Sequence, residues 1–168
     1  MTQKQERSII WRTTVSPEKL QALTSDDLLK MSQADLDNLF RTSQAGPIPD
    51  GQAKGTAIIA PGTVFTREIA DFIGYFAWQG KTFDGARGVL TNRILAFGIN
   101  AIVAEVYKGN SWFDGAECIV LDYSKTSILA HWIRDEIRQI GPGFYLGICY
   151  WDKSKLLDFC LEFPETPA

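Results

Sequence analysis

Period-two alternation of apolar and polar residues dominates the second half of this chain. In Leu156 to Phe163, Leu157, Phe159, Leu161 and Phe163 alternate with Leu156, Asp158, Cys160 and Glu162, the pattern of a strand with one apolar face. Phe144 to Trp151 precedes it across an Asp152-Lys153-Ser154 turn, which predicts a hairpin. Two further strands, in AIVAEVYKG and AECIVLDYS, flank a Gly/Asn/Asp/Trp bend between Ala101 and Ser124. Lys81 to Phe83 and Val89 to Ile94 read as short strands around Asp84-Gly85. Ala53 to Ala60 reads as a first strand, after the turn-rich Gly46-Pro47-Ile48-Pro49-Asp50-Gly51. Ser127 to Ile140 is ambiguous. Its apolar spacing is helical, yet Gly141-Pro142-Gly143 makes a hairpin turn into Phe144. The expectation is a short helix to about Trp132 followed by a strand, with Ile133 and Ile137 inward and Arg134, Glu136 and Arg138 on one solvent face.

Helical spacing appears earlier in the chain. Ser16-Pro17-Glu18, Ser25-Asp26-Asp27 and Ser32-Gln33-Ala34-Asp35 each set a hydroxyl cap before a first turn holding proline or acids. They predict two or three short helices, the last presenting Leu36, Leu39 and Phe40. None is long enough to stand alone, so they must pack on something. Ile69, Phe72, Ile73 and Phe76 predict one more helix, from Thr66 to Trp78. About seven strands, with few helices after residue 80 and no βαβ alternation, predict an α+β, mainly β chain. The expected domain is single and spans residues 1–168, with a helical segment at 1–45 packed on an antiparallel barrel at 52–163.

Composition narrows the function classes. The chain has 168 residues, a net charge of -3 and no Lys/Arg cluster, which argues against nucleic-acid binding. No apolar run approaches the roughly 18 residues of a membrane span, and the N-terminus lacks the apolar core of a signal peptide. A cytoplasmic protein without membrane association is the expectation. Cys118, Cys149 and Cys160 lie in strand-like runs with no zinc or redox spacing, and are expected to be buried and inert. His131 is the only histidine, so a histidine metal cluster and a two-histidine mechanism are excluded. A lone haem ligand or general base stays open for it, beside the plainer reading of a half-exposed residue next to Trp132. No metal or cofactor is expected.

Glu105 and Asp122 stand inside apolar strands, where a charge needs a partner or a purpose. If Lys108 pairs with Ala116, the two carboxylates point to opposite faces of the sheet and cannot form a dyad. Glu105, Tyr107, Glu117 and Tyr123 then share a mostly apolar wall, either a ligand cavity or a face covered by the N-terminal helices. Trp112 and Phe113, in the loop between these strands, form either a plug over a barrel end or a contact surface.

Gly74-Tyr75-Phe76-Ala77-Trp78-Gln79-Gly80-Lys81-Thr82-Phe83 resembles the W-x-G-K-x-F signature of small bacterial GXWXG-type proteins. Glu105 to Gly109, Leu121-Asp122-Tyr123, Trp132-Ile133-Arg134 and Leu146-Gly147 resemble the spacing of their companion domain. The flanks of Trp78, Ala77 and Gln79, depart from the Gly-x-Trp-x-Gly pattern. The resemblance implies a calycin or lipocalin-like barrel and carries no catalytic site with it. The expected function is binding of a small hydrophobic or amphipathic molecule. Glu105, Tyr107, Tyr123 and Arg93 would be its polar anchors, and Trp78 and Trp151 part of the wall. The alternative is a cofactor-free cyclase or isomerase with Asp122 or Glu105 as acid–base. Exposed strand edges would permit a homodimer.

Overall fold

The computed structural model describes residues 23–60, 81–92, 102–126 and 130–164. Two short helices come first, α1 (Ser25–Leu28) and α2 (Gln33–Thr42). Thr24 and Asp27 form a reciprocal capping box at α1, so the cap is one residue earlier than the sequence pattern suggests. Ser32 caps α2 as expected, accepting from the Asp35 N–H at 3.2 Å. Eight strands follow: β1 (Gly51–Ile58), β2 (Lys81–Asp84), β3 (Val89–Asn92), β4 (Ile102–Asn110), β5 (Glu117–Asp122), β6 (Ile133–Gly141), β7 (Phe144–Trp151) and β8 (Ser154–Glu162). Each pairs antiparallel with the next, and β8 returns to β1 to close a barrel. Closure gives both sides of each described strand a partner, so strand edges of the kind that would permit a homodimer are not left open among them.

The antiparallel barrel of the sequence reading is the observed architecture, with three local differences. β1 runs from Gly51 rather than Ala53. Ala130 to Trp132 form a bend and turn in place of the end of a helix, and the Ile133 N–H bonds Ala130 O at 2.9 Å as β6 begins. The register of β4 on β5 also differs. Asn110 pairs with Glu117 and Glu105 with Asp122, a slip of three residues from the Lys108–Ala116 pairing. Closing bonds from the Ser111 N–H to Ala116 O and from the Gly115 N–H to Ser111 O, both 2.9 Å, tighten the loop. Gly115 takes φ 76° within it. An odd slip moves each β5 side chain to the other face relative to β4, since side chains alternate. The predicted helices at Ser16-Pro17 and at Thr66–Trp78 lie outside the described residues.

Two apolar layers share the sheet. Inside the barrel lie Ala53, Phe83, Leu90, Ala104, Val106, Ile119, Leu121, Ile137, Phe159 and Leu161. Outside it, Leu28, Leu36 and Phe40 of the helices cover Ile58, Leu146, Ile148 and Cys160. β7 is therefore apolar on both faces, which explains its near-continuous run Phe-Tyr-Leu-Gly-Ile-Cys-Tyr-Trp. Polar contacts fasten α2 to this wall: Gln33 Nε2 donates to Asp158 Oδ2 at 2.7 Å, and Lys155 Nζ donates to Asp37 at 2.6 Å and Asp158 at 2.8 Å.

The outer face of β6 is not the solvent face its charges suggest. Loop 111–116 folds back over it beside α2, leaving Glu136 and Arg138 fully buried. Ser111 Oγ and the Trp112 N–H donate to Glu136 at 2.5 and 2.8 Å, and Arg138 clasps Asp114 with two 2.7 Å bonds. Trp112 lies under the Arg134 guanidinium at 4.4 Å, and Phe113 meets Phe40 edge-on at 5.9 Å. The two loop aromatics thus belong to the outer coat rather than to a plug over a barrel end.

One end of the bore is filled by Phe83, Tyr145 and Phe163, whose rings meet at 5.4–5.7 Å. Across the middle, Phe159 lies against Gly147, its direct partner on β7. A Cβ on Gly147 would overlap that buried ring. Gly147→Ala is therefore expected to destabilise the fold by about 1–3 kcal/mol through overpacking, read from the midpoint of urea unfolding.

Candidate functional site

The opposite end carries polar groups. At this end β1, β3, β5 and β7 finish while β2, β4, β6 and β8 begin. Lys81 opens β2 and pairs with Asn92, the last residue of β3. Alternation turns both side chains inward, since Phe83 and Leu90 on the same strand faces belong to the interior cluster. On β6, Asp135 lies between the inward Ile133 and Ile137 by the same rule. Tyr123, one residue past β5, is inward with Leu121 and Ile119.

These four side chains meet inside the barrel. Lys81 Nζ donates to Tyr123 Oη at 2.6 Å and to Asp135 Oδ2 at 2.8 Å. Asn92 Nδ2 donates to Tyr123 Oη at 2.9 Å, and the Tyr123 hydroxyl donates to Asp135 Oδ2 at 3.3 Å. Lys81 and Asp135 are 2% and 1% exposed, so this is an ion pair out of contact with water. β2 and β6 stand four places apart in a ring of eight, so the pair reaches across the bore. The Lys81 ammonium also faces the rings of Tyr123 and Phe159 at 5.3 and 5.6 Å.

Burial acts to discharge Lys81, but the Asp135 carboxylate and then the Tyr123 phenol outweigh it and hold the ammonium above the ordinary lysine range. Burial and Asp135 push the Tyr123 phenol up, against the opposing pull of Lys81. Cys149, the β7 partner of Asp135, is raised by burial and then by that carboxylate. At neutral pH Lys81 is therefore an ammonium and Tyr123 a neutral phenol. One oxygen is left over: Asp135 Oδ1 is enclosed and accepts from no N–H or O–H, with only the weakly donating Cys149 thiol beside the carboxylate. Above it, Trp151 lies one inward position beyond Cys149, and its ring stacks on Trp132 at 6.1 Å. Trp132 is half exposed and touches His131, at 3.6 Å between ring centres.

The residues expected from sequence separate. Tyr123 and Trp151 are at this end, on the inner face. Tyr107, Glu105 and Asp122 are on the outer face, because Ala104 and Val106 of β4 and Ile119 and Leu121 of β5 take the inward positions. There the two carboxylates are direct cross-strand neighbours, not residues on opposite faces. They do not face the interior in which an acid–base role was expected. Tyr107 Oη donates to Asp122 at 3.1 Å, and Lys125 Nζ meets Glu105 at 3.1 Å. Burial opposes ionisation of Asp122, but hydrogen bonds from Ser124 and Tyr107 hold its carboxyl below the usual range. Trp78 and Arg93 lie outside the described residues, three positions before Lys81 and one after Asn92 in sequence. Lys81, Asn92 and Asp135 were not singled out from sequence. The available signal was parity: each is a polar residue at an inward position of its strand.

Removing one partner of a buried pair strands the other charge. Lys81→Met is expected to lower stability by about 3–5 kcal/mol in urea unfolding, with Asp135→Asn added to it restoring most of the loss. The cysteines give a second check. All three are buried, and burial foremost pushes the Cys118 and Cys160 thiols up to about 12. A thiol-exchange reagent at pH 8 is expected to leave the folded protein unreacted and to titrate three thiols in denaturant.

No protein-family model matches this chain, and no curated protein does. Among solved structures, a protein from Thermomonospora curvata is similar, with a TM-score of 0.55 and 15% identity over 81% of this chain and 90% of that one. At that identity the likeness shows the fold alone, a barrel of the same general kind. Among the described residues no helix is long and apolar enough to cross a membrane.

Proposed function

We propose that the barrel binds a small hydrophobic or amphipathic molecule at the end where Lys81, Asn92, Tyr123 and Asp135 meet. The observation that carries this reading is the buried ion pair with an uncommitted carboxylate oxygen in an otherwise apolar interior. Ligand sites combine apolar walls with a few fixed polar groups, and a network held by three strands and the residue following a fourth is pre-organised to orient a head group. Leu157, Ile133 and the Trp151–Trp132 stack would supply the apolar wall, each 100 Å² of ligand surface buried there contributing about 2.5 kcal/mol before the costs of association. The calycin-like assignment rests on the motifs around Trp78 and belongs to the same proposal.

A second reading is favoured by the chemistry of Asp135. A carboxylate oxygen with a free lone pair, beside a fixed phenol, could take a proton from a bound substrate. That suits a cofactor-free isomerase or cyclase acting on a hydrophobic substrate. In this version Asp135 holds the acid–base place that sequence offered to Glu105 or Asp122.

Native mass spectrometry of protein purified from its source is the test. A discrete adduct that is lost on denaturation is expected. Protein that is uniformly apo and binds no apolar probe overturns the reading. If the adduct is a mixture whose composition changes on incubation, turnover is indicated, and Asp135→Asn should stop the change.

A further inference from the structure

The polar end of the ligand can be specified by counting hydrogen bonds, an inference that rests on the binding reading above. The Tyr123 oxygen accepts from Lys81 and Asn92, and its hydrogen is directed to Asp135 Oδ2. Asp135 Oδ2 accepts from Lys81 as well. The Lys81 charge is balanced at 2.8 Å by the Asp135 charge, so the cluster presents no net cation to an incoming anion. Asp135 Oδ1 is the atom of this network that no N–H or O–H meets, the weakly donating Cys149 thiol being the group beside the carboxylate, and its residue is 1% exposed on the inward face of β6. An ionised carboxylate oxygen accepts and never donates. Leaving one buried and unmet is costly, and a group that donates to it recovers that cost.

We propose that this end of the barrel selects molecules whose polar end is a hydroxyl donor, an alcohol, phenol or enol, through a hydrogen bond from that hydroxyl to Asp135 Oδ1. A carboxylate of the same chain length would meet Oδ1 as a like charge, and the cation of the described cluster, Lys81, is already paired with Asp135. An ether would leave the oxygen as it is. Long-chain acids are therefore the wrong class. The Trp132–Trp151 stack beyond the cluster would receive the apolar remainder.

Full-length protein, freed of any co-purified molecule, would be titrated with 1-decanol, decyl methyl ether and decanoate at pH 7.5 against a neutral fluorescent apolar probe. The alcohol is expected to displace the probe at about tenfold lower concentration than either of the others, as suits one hydrogen bond to a charged acceptor. Asp135→Asn, checked for folding by circular dichroism, should narrow the gap between alcohol and acid by improving the acid. The wild-type comparison of alcohol with ether stands even if that variant does not fold. An ether equal to the alcohol, or an acid that binds as well, overturns the donor assignment while leaving ligand binding intact. Failure of all three compounds and of the probe overturns both.

Discussion

The Lys81–Asp135 pair is the interaction around which the barrel interior is arranged. Taking two charges out of water costs several kcal/mol per ion unless each is met by its opposite and by further hydrogen bonds. Here one charge comes from each side of the bore, from β2 and from β6, and neither adjacent pairing nor a hairpin can bring those strands together. Only the closed ring does so. Tyr123 and Asn92 complete the network, and the Phe159 ring, seated on Gly147, closes the space on the side of the filled end. A pair that is satisfied only in this geometry discriminates against alternative strand orders.

The same strand, β6, carries charges on its outer face, and they are buried by a different device. Arg134, Glu136 and Arg138 lie under loop 111–116 and the C-terminal part of α2. Arg138 bonds the Phe40 and Glu117 carbonyls as well as Asp114, so one guanidinium joins helix, loop and sheet. The wall thus has two polar seams back to back. The outer one has each of its charges paired, with a neutral oxygen, the buried Tyr150 Oη, left without a partner beside it, while the inner one leaves a carboxylate oxygen without an N–H or O–H donor.

Much of the fold was legible from alternation alone. Leu157, Phe159 and Leu161 face inward as the period-two pattern requires, and Ile133 and Ile137 do so on β6 despite the helical spacing around them. The site was less legible. Asp135 sits between two inward isoleucines, so its direction was implied, but a lone inward carboxylate has no meaning until its partner is known. That partner is 54 residues away on a four-residue strand. Glu105 and Asp122 were more conspicuous, and they share the outer face instead of dividing between the two, because one turn was tighter than its composition suggests.

By itself, the sequence determined the antiparallel mainly β architecture, the Ser32 cap of α2, the inward sets of β6 and β8 and the buried state of the cysteines. These follow from local spacing and residue chemistry. Tertiary structure decided the register of β4 on β5, the coat over β6 and the meeting of Lys81, Asn92, Tyr123 and Asp135. Register depends on how a loop satisfies its own backbone hydrogen bonds, and the cluster depends on closure. A strand pattern carries which face a residue takes, but not which residue stands opposite it across a barrel.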